Sequence, residues 1–217
     1  MRLTERHGKI LDREWDTDGL FARLVRFASA ANDDDWFAGL TEYEGRATRL
    51  RIWEVALVPG VFQTPDYARS ALTAGLVEDI DTALEKRMAR QTAVFERPKP
   101  PRVFAILNWV ALLQPVGDAG IMRGQLAHLL AMSEYPHVSL RILEKDAGVN
   151  VGLDGSFQLL TVDDRDVAYA EAPEMGGLVR DPHTVQNFAV RYDRVCEVAT
   201  PVGPSRTLIQ RTMESYQ

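Results

Sequence analysis

The sequence predicts an α+β fold: a small mixed, largely antiparallel sheet of about five strands with helices packed on it. Three observations carry this. Helix-period and strand-period segments follow one another without a regular strand–helix alternation. Two strand-like runs late in the chain are joined by a short polar turn, as in an antiparallel hairpin. The 217 residues, 46% hydrophobic and 26% charged, suffice for one sizeable core and are ordinary for a globular chain.

Residues 1–15 are polar and expected to fray, leaving residues 16–217 as a single α+β domain. Asp16 or Thr17 caps a helix whose Leu20, Phe21, Leu24, Val25 and Ala28 share one face. The acidic break at 32–35 caps a second helix from Trp36, with Phe37 and Leu40 inward. RLRIWEVALV alternates, with Leu50, Ile52 and Glu54 on one side and Arg51, Trp53 and Val55 on the other, which predicts a strand. Val58-Pro59-Gly60 ends it. Thr64-Pro65 starts a short helix that Gly75 stops. An amphipathic helix over 78–96 carries acid early and base late, as the macrodipole favours. RPKPP at 97–101 is a stiff linker. A strand at 102–107, a helix at about 118–133 and a strand at 138–143 follow. GVNVGLDG is a loop, and the glycines of its GLDG at 152–155 are expected to supply positive φ, with Asp154 making an Asx-turn. SFQLLTV and DVAYAEA form the hairpin, and EMGGLV adds one short strand. Two helices close the chain, the first opened by Asp181-Pro182.

A net charge of −6 and the lack of a Lys/Arg cluster argue against a nucleic-acid surface and predict no direct nucleic-acid contact. One cysteine, Cys196, excludes an intramolecular disulfide and reads as a small core residue. The four histidines, His7, His128, His137 and His183, show no metal-ligand spacing. No phosphate-cradling glycine loop or nucleophile elbow occurs, so neither metal nor cofactor is expected. No signal-peptide pattern or apolar run of membrane-spanning length is found, and a cytoplasmic location is expected.

Candidate site residues come from polar groups in apolar segments. Glu54 inside RIWEVAL and Glu171 inside YAEAP either line a pocket or are satisfied structural acids. Trp53 and Tyr67 carry polar tips that need a partner or a cavity. Glu42 and Glu44, two apart on a helix, face different ways, and one belongs to a solvated face.

WEVALVPGVFQTPDYARSAL resembles the hallmark of a C-terminal domain of unknown function in actinobacterial regulators, where it follows a helix-turn-helix of the xenobiotic-response-element (XRE) type. Glu54, Leu57, Val58, Pro59, Gly60, Gln63, Thr64, Asp66, Tyr67, Ala68 and Arg69 carry the resemblance, and Trp53 replaces a usual Tyr. Further matches run in order through residues 87–91, residues 102–117 with their Pro-Val-Gly end, Gln125 and His128, Gly152-Leu153-Asp154-Gly155 with Phe157, Tyr169 with Glu171, and Ser205-Arg206, covering about residues 20–211. The stretch before them is too short for a helix-turn-helix, so a stand-alone domain is expected. In LNWVALLQPVG, Trp109 stands where relatives carry an acid, and Leu113 and Gln114 where they carry bases; Arg46 stands where they often carry a carboxylate. Two readings stay open: neutral repacking of a structural ion pair, or a pocket remodelled for an apolar ligand with Trp109 as its wall.

The resemblance implies a cytoplasmic, regulator-derived domain that senses a ligand or binds a partner. The expected activity is binding of an apolar small molecule by Trp53, Glu54, Gln63, Tyr67, Trp109, Leu113 and Glu171. The first alternative is a cofactor-free cyclase or isomerase of natural-product biosynthesis, for instance closing rings by cycloaddition on a polyketide-like substrate. Glu54, Gln63 and Tyr67 would supply its hydrogen bonds. The second is a transcriptional regulator fragment or a module for a small protein partner or a second copy.

Overall fold

The computed structural model describes residues 4–30, 36–170 and 176–216. The chain divides into two compact units, residues 1–38 and 39–217. In the first, α1 (Glu5–Trp15) packs on α2 (Leu20–Ala30). The segment expected to fray is therefore helical over most of its length. The Thr4 N–H donates to His7 Nδ1 at 3.0 Å, which closes the start of α1. Gly8 lets the helices touch, since a Cβ there would lie 2.8 Å from the Ala22 backbone. Asp12 ties them, accepting from the N–H groups of Phe21 and Ala22 at 2.7 and 2.9 Å. These are tertiary contacts, and a polar sequence pattern does not display them.

The second unit holds a six-stranded sheet in the order β3-β2-β1-β4-β5-β6. The strands are β1 (Arg49–Glu54), β2 (Arg102–Asn108), β3 (Val138–Leu143), β4 (Phe157–Val162), β5 (Arg165–Ala170) and β6 (Gly177–Val179). β1 pairs parallel with β2, as does β2 with β3, and the other three pairs are antiparallel. The fold is thus α+β with a mixed, largely antiparallel sheet of six strands, the short strand expected within EMGGLV forming as β6. Asp163 and Asp164, at φ 50° and 60°, make the tight turn between β4 and β5. Two successive left-handed residues are what a hairpin turn matched to strand twist requires.

The alternation along β1 divides the interior in two. Leu50 and Ile52 enter the main core, while Trp53 enters a smaller core on the opposite face. The main core receives Leu40 from α3 (Trp36–Arg46), Tyr67 from α4 (Pro65–Ala74), Val94 from α5 (Ile80–Phe95) and Leu112 from α6 (Val110–Leu113). Leu126 from α7 (Ala119–Met132) and Ile209 from α9 (Val202–Ser215) complete it. The smaller core is closed by Val185, Tyr192 and Val195 of α8 (Pro182–Val198).

Two polar clamps hold the main layer. Glu44 is fully buried and pairs with Arg90 through both carboxylate oxygens, whereas Glu42 stays at the surface with Arg46. The linker at 97–101 is tied back by Arg97, which donates to the carbonyls of Gly45 and Ala47. At the β3 edge, Ile142 N–H donates to Ser205 Oγ at 3.0 Å and its carbonyl accepts from Thr200 N–H at 2.9 Å. Val138 N–H is taken by the Tyr135 carbonyl at 3.0 Å. Among the described residues no helix is long and apolar enough to cross a membrane.

Candidate functional site

A cleft of about 310 Å³ opens on the face of the sheet that carries the smaller core. Its floor is Phe157 at the start of β4 and Ala170 at the end of β5. One wall is the loop Asp154-Gly155-Ser156, and the other is α8 through Thr184, Asn187, Phe188 and Arg191.

The loop is shaped from behind. Asn150 Oδ1 accepts from Gly152 N–H at 2.9 Å, so the Asx-turn belongs to Asn150 and not to Asp154 as expected. The Trp53 indole N–H donates to the Gly152 carbonyl at 2.8 Å. A Cβ on Gly152 would stand 2.6 Å from the indole ring, so this glycine is required by close approach; positive φ occurs at Gly155 (+140°). Ser156 Oγ accepts from Val55 N–H at 3.1 Å and fixes the loop's exit into β4.

The helical wall is set by its cap. Asp181 accepts from Thr184 through both hydroxyl and backbone N–H, at 2.7 and 2.8 Å, and Pro182 opens the helix. Those two bonds, the side-chain one first, hold the Asp181 carboxyl below the usual range and keep it ionised at neutral pH. One turn on, Phe188 meets Phe157 with ring centroids 5.2 Å apart, tilted by 53°. Arg191 spans the mouth, donating to the Val151 carbonyl at 2.5 Å and pairing with Asp154. The lining therefore combines an aromatic base with neutral hydrogen-bonding groups and one rim ion pair. Among the described lining residues the acid and the base are engaged with each other, and none is His, Cys, Lys or Tyr. Such a site can hold and orient a molecule.

The sequence-selected residues do not gather in one place. Trp53, 0% exposed, supports the cleft from beneath without lining it. Glu54, Gln63 and Tyr67 lie on the main-core face, where Gln63 and Tyr67 brace the 58–64 loop. Gln63 Nε2 donates to the Val58 carbonyl at 2.8 Å, and its Oε1 accepts from Arg87 at 2.6 Å. Tyr67 Oη accepts from Val58 N–H at 3.2 Å. Burial lifts the Tyr67 hydroxyl above its usual pKa, and the nearby Glu54 charge adds to the rise against the lowering bond from Val58. Gln91 donates to the carbonyls of Gly60 and Gln63, and Gln125 to that of Phe62. Most of the motif's polar atoms thus close one loop on itself.

Trp109 starts the one-turn α6, bonded through its N–H to the Leu143 carbonyl at 2.9 Å and half-buried against the main core. Leu113 is 49% exposed, and neither residue lines the cleft. β2 passes directly into α6, which places the indole against the main core. Glu171 lies outside the described residues.

Sequence reasoning missed Thr184, Asn187, Phe188 and Arg191. Their common helix face was a readable signal, but its partner loop lies some thirty residues earlier, and pairing the two needed the sheet.

Residues 37–211 match the family model described as a domain of unknown function, DUF5753, and the chain belongs to that family. No curated protein and no solved structure matches it.

Proposed function

Taking this DUF5753 chain as a regulator-type domain, we propose that it binds a small amphipathic molecule, apolar over much of its surface, in the cleft between the 150–156 loop and α8. The observation that carries this reading is convergence. The 154–156 loop and α8, about thirty residues apart in sequence, meet at one cavity with an aromatic base. Its volume falls at the low end of the roughly 300–1,000 Å³ of small-molecule sites, which suits a fragment-sized ligand. The net charge of −6 fits a sensing or effector domain without DNA contact of its own. The cyclase or isomerase alternative has less support, since Gln63 and Tyr67 are engaged in bracing a loop on the other face.

The test fills the cleft. Asn187 is exposed on α8, so Asn187→Trp adds bulk without touching the core. A saturation-transfer NMR screen of amphipathic aromatic fragments should yield binders to the natural chain that the variant loses, with melting temperatures within about 2 °C, the scale of a surface substitution. An identical set of binders for both proteins would sink the proposal.

A further inference from the structure

The main-core face of the sheet is apolar along Leu50, Ile52, Leu160, Val162 and Val167. At one end it changes character. Gln158 on β4 stands opposite Ile52 on β1 and Tyr169 on β5. Glu54, two residues beyond Ile52, is its diagonal neighbour, at the roughly 7–8 Å that long side chains bridge. Side chains with hydrogen-bonding ends from three adjacent strands therefore share one level of an otherwise hydrocarbon surface. Gln158 is 4% exposed, and its Oε1 has no hydrogen-bond partner among the described residues.

A buried acceptor without a donor destabilises a fold, and native chains rarely keep one without a use. A leucine would fill this place with the hydrocarbon that Leu160 already supplies. We propose that Gln158 reads an N–H or O–H group of a small molecule, at a recognition point separate from the cleft on the opposite face. The ligand class is a compact primary amide, amine or alcohol with an apolar body.

The experiment uses the whole chain, labelled with nitrogen-15, with the Gln158 side-chain signals assigned by their loss in Gln158→Leu. Benzamide, which carries an N–H donor, is titrated beside N,N-dimethylbenzamide, which carries none. Benzamide should move the Gln158 signals and the dimethyl compound should not, and Asn187→Trp should leave both results unchanged. Gln158→Leu should abolish the benzamide response and raise Tm by about 2 °C or more, the scale expected for removing an unmet buried acceptor. Equal shifts with both compounds, no shift with either, or a lower Tm in Gln158→Leu would overturn the assignment. The lower Tm would mean that the carboxamide is satisfied within the core.

Discussion

The 58–64 loop and the 150–156 loop share one end of the sheet, where Trp53 pairs with Phe157, but serve opposite faces and stand in opposite states. The first is tied from every side: Gln63, Gln91, Gln125 and Tyr67 engage its backbone, and Val61 and Phe62 are buried. The second is tied from behind by Trp53 and Ser156, and its front faces a cleft. The lesson is that a dense run of motif residues marks the part of the backbone hardest to hold. The 58–64 loop passes through the core with polar groups that water cannot reach, so each needs a side-chain partner. The 150–156 loop needs fewer, because its outer groups stay at the surface.

Substitutions can break or sharpen this contrast. The largest effect is expected from Trp53→Ala, which removes a fully buried ring and the anchor of the second loop together. Urea unfolding should show a loss of about 3–5 kcal/mol. Trp53→Phe should recover much of that stability without recovering fragment binding, because the bond to the Gly152 carbonyl is still missing. Next, Gln125→Leu strips the Phe62 carbonyl and the Thr64 N–H of their partner, and about 1–3 kcal/mol should be lost. Fragment affinity should stay within twofold; a collapse of binding there would tie the two loops into one site. A smaller effect concerns acid. The Asp181 carboxyl titrates lower in the folded chain than in the unfolded one. Its contribution is fully present above the unfolded value and is lost as pH falls through the folded one. Asp181→Asn should therefore flatten the dependence of Tm on pH at the acid end, and an unchanged profile would mean that the cap does not hold in solution. The smallest effect is a gain: Asp164→Gly relieves a left-handed residue in the β4–β5 turn, which should add a few tenths of a kcal/mol and leave binding untouched.

Local chemistry made much of the second unit readable. Thr64-Pro65 opens α4 as its sequence demands, and RLRIWEV alternates with Trp53 and Glu54 on opposite faces. α1 was not readable, because Gly8 and Asp12 acquire meaning only against α2. The cleft was half readable. The glycines of GLDG marked a special loop, but the reason for Gly152 is an indole from a strand about a hundred residues earlier. Gln158 was hidden in FQLLTV, where the sequence shows a polar residue and not which face it occupies. Which of Glu42 and Glu44 belongs to the solvated face was open until Arg90 arrived from α5. In each case the missing information was the identity of a distant partner.

The β3 margin bears on how these molecules meet one another. A sheet border is a template for a stranger's strand when its outward amides and carbonyls stand open in succession. Here the two ends of the border are occupied, Ile142 by Ser205 and Thr200, and Val138 by Tyr135. The far border, β6, is three residues long. Among the described residues, an incoming strand finds no long run to zip onto at either margin. Self-association through extended backbone is thereby discouraged, and a serine in the first turns of α9 serves as a guard against aggregation.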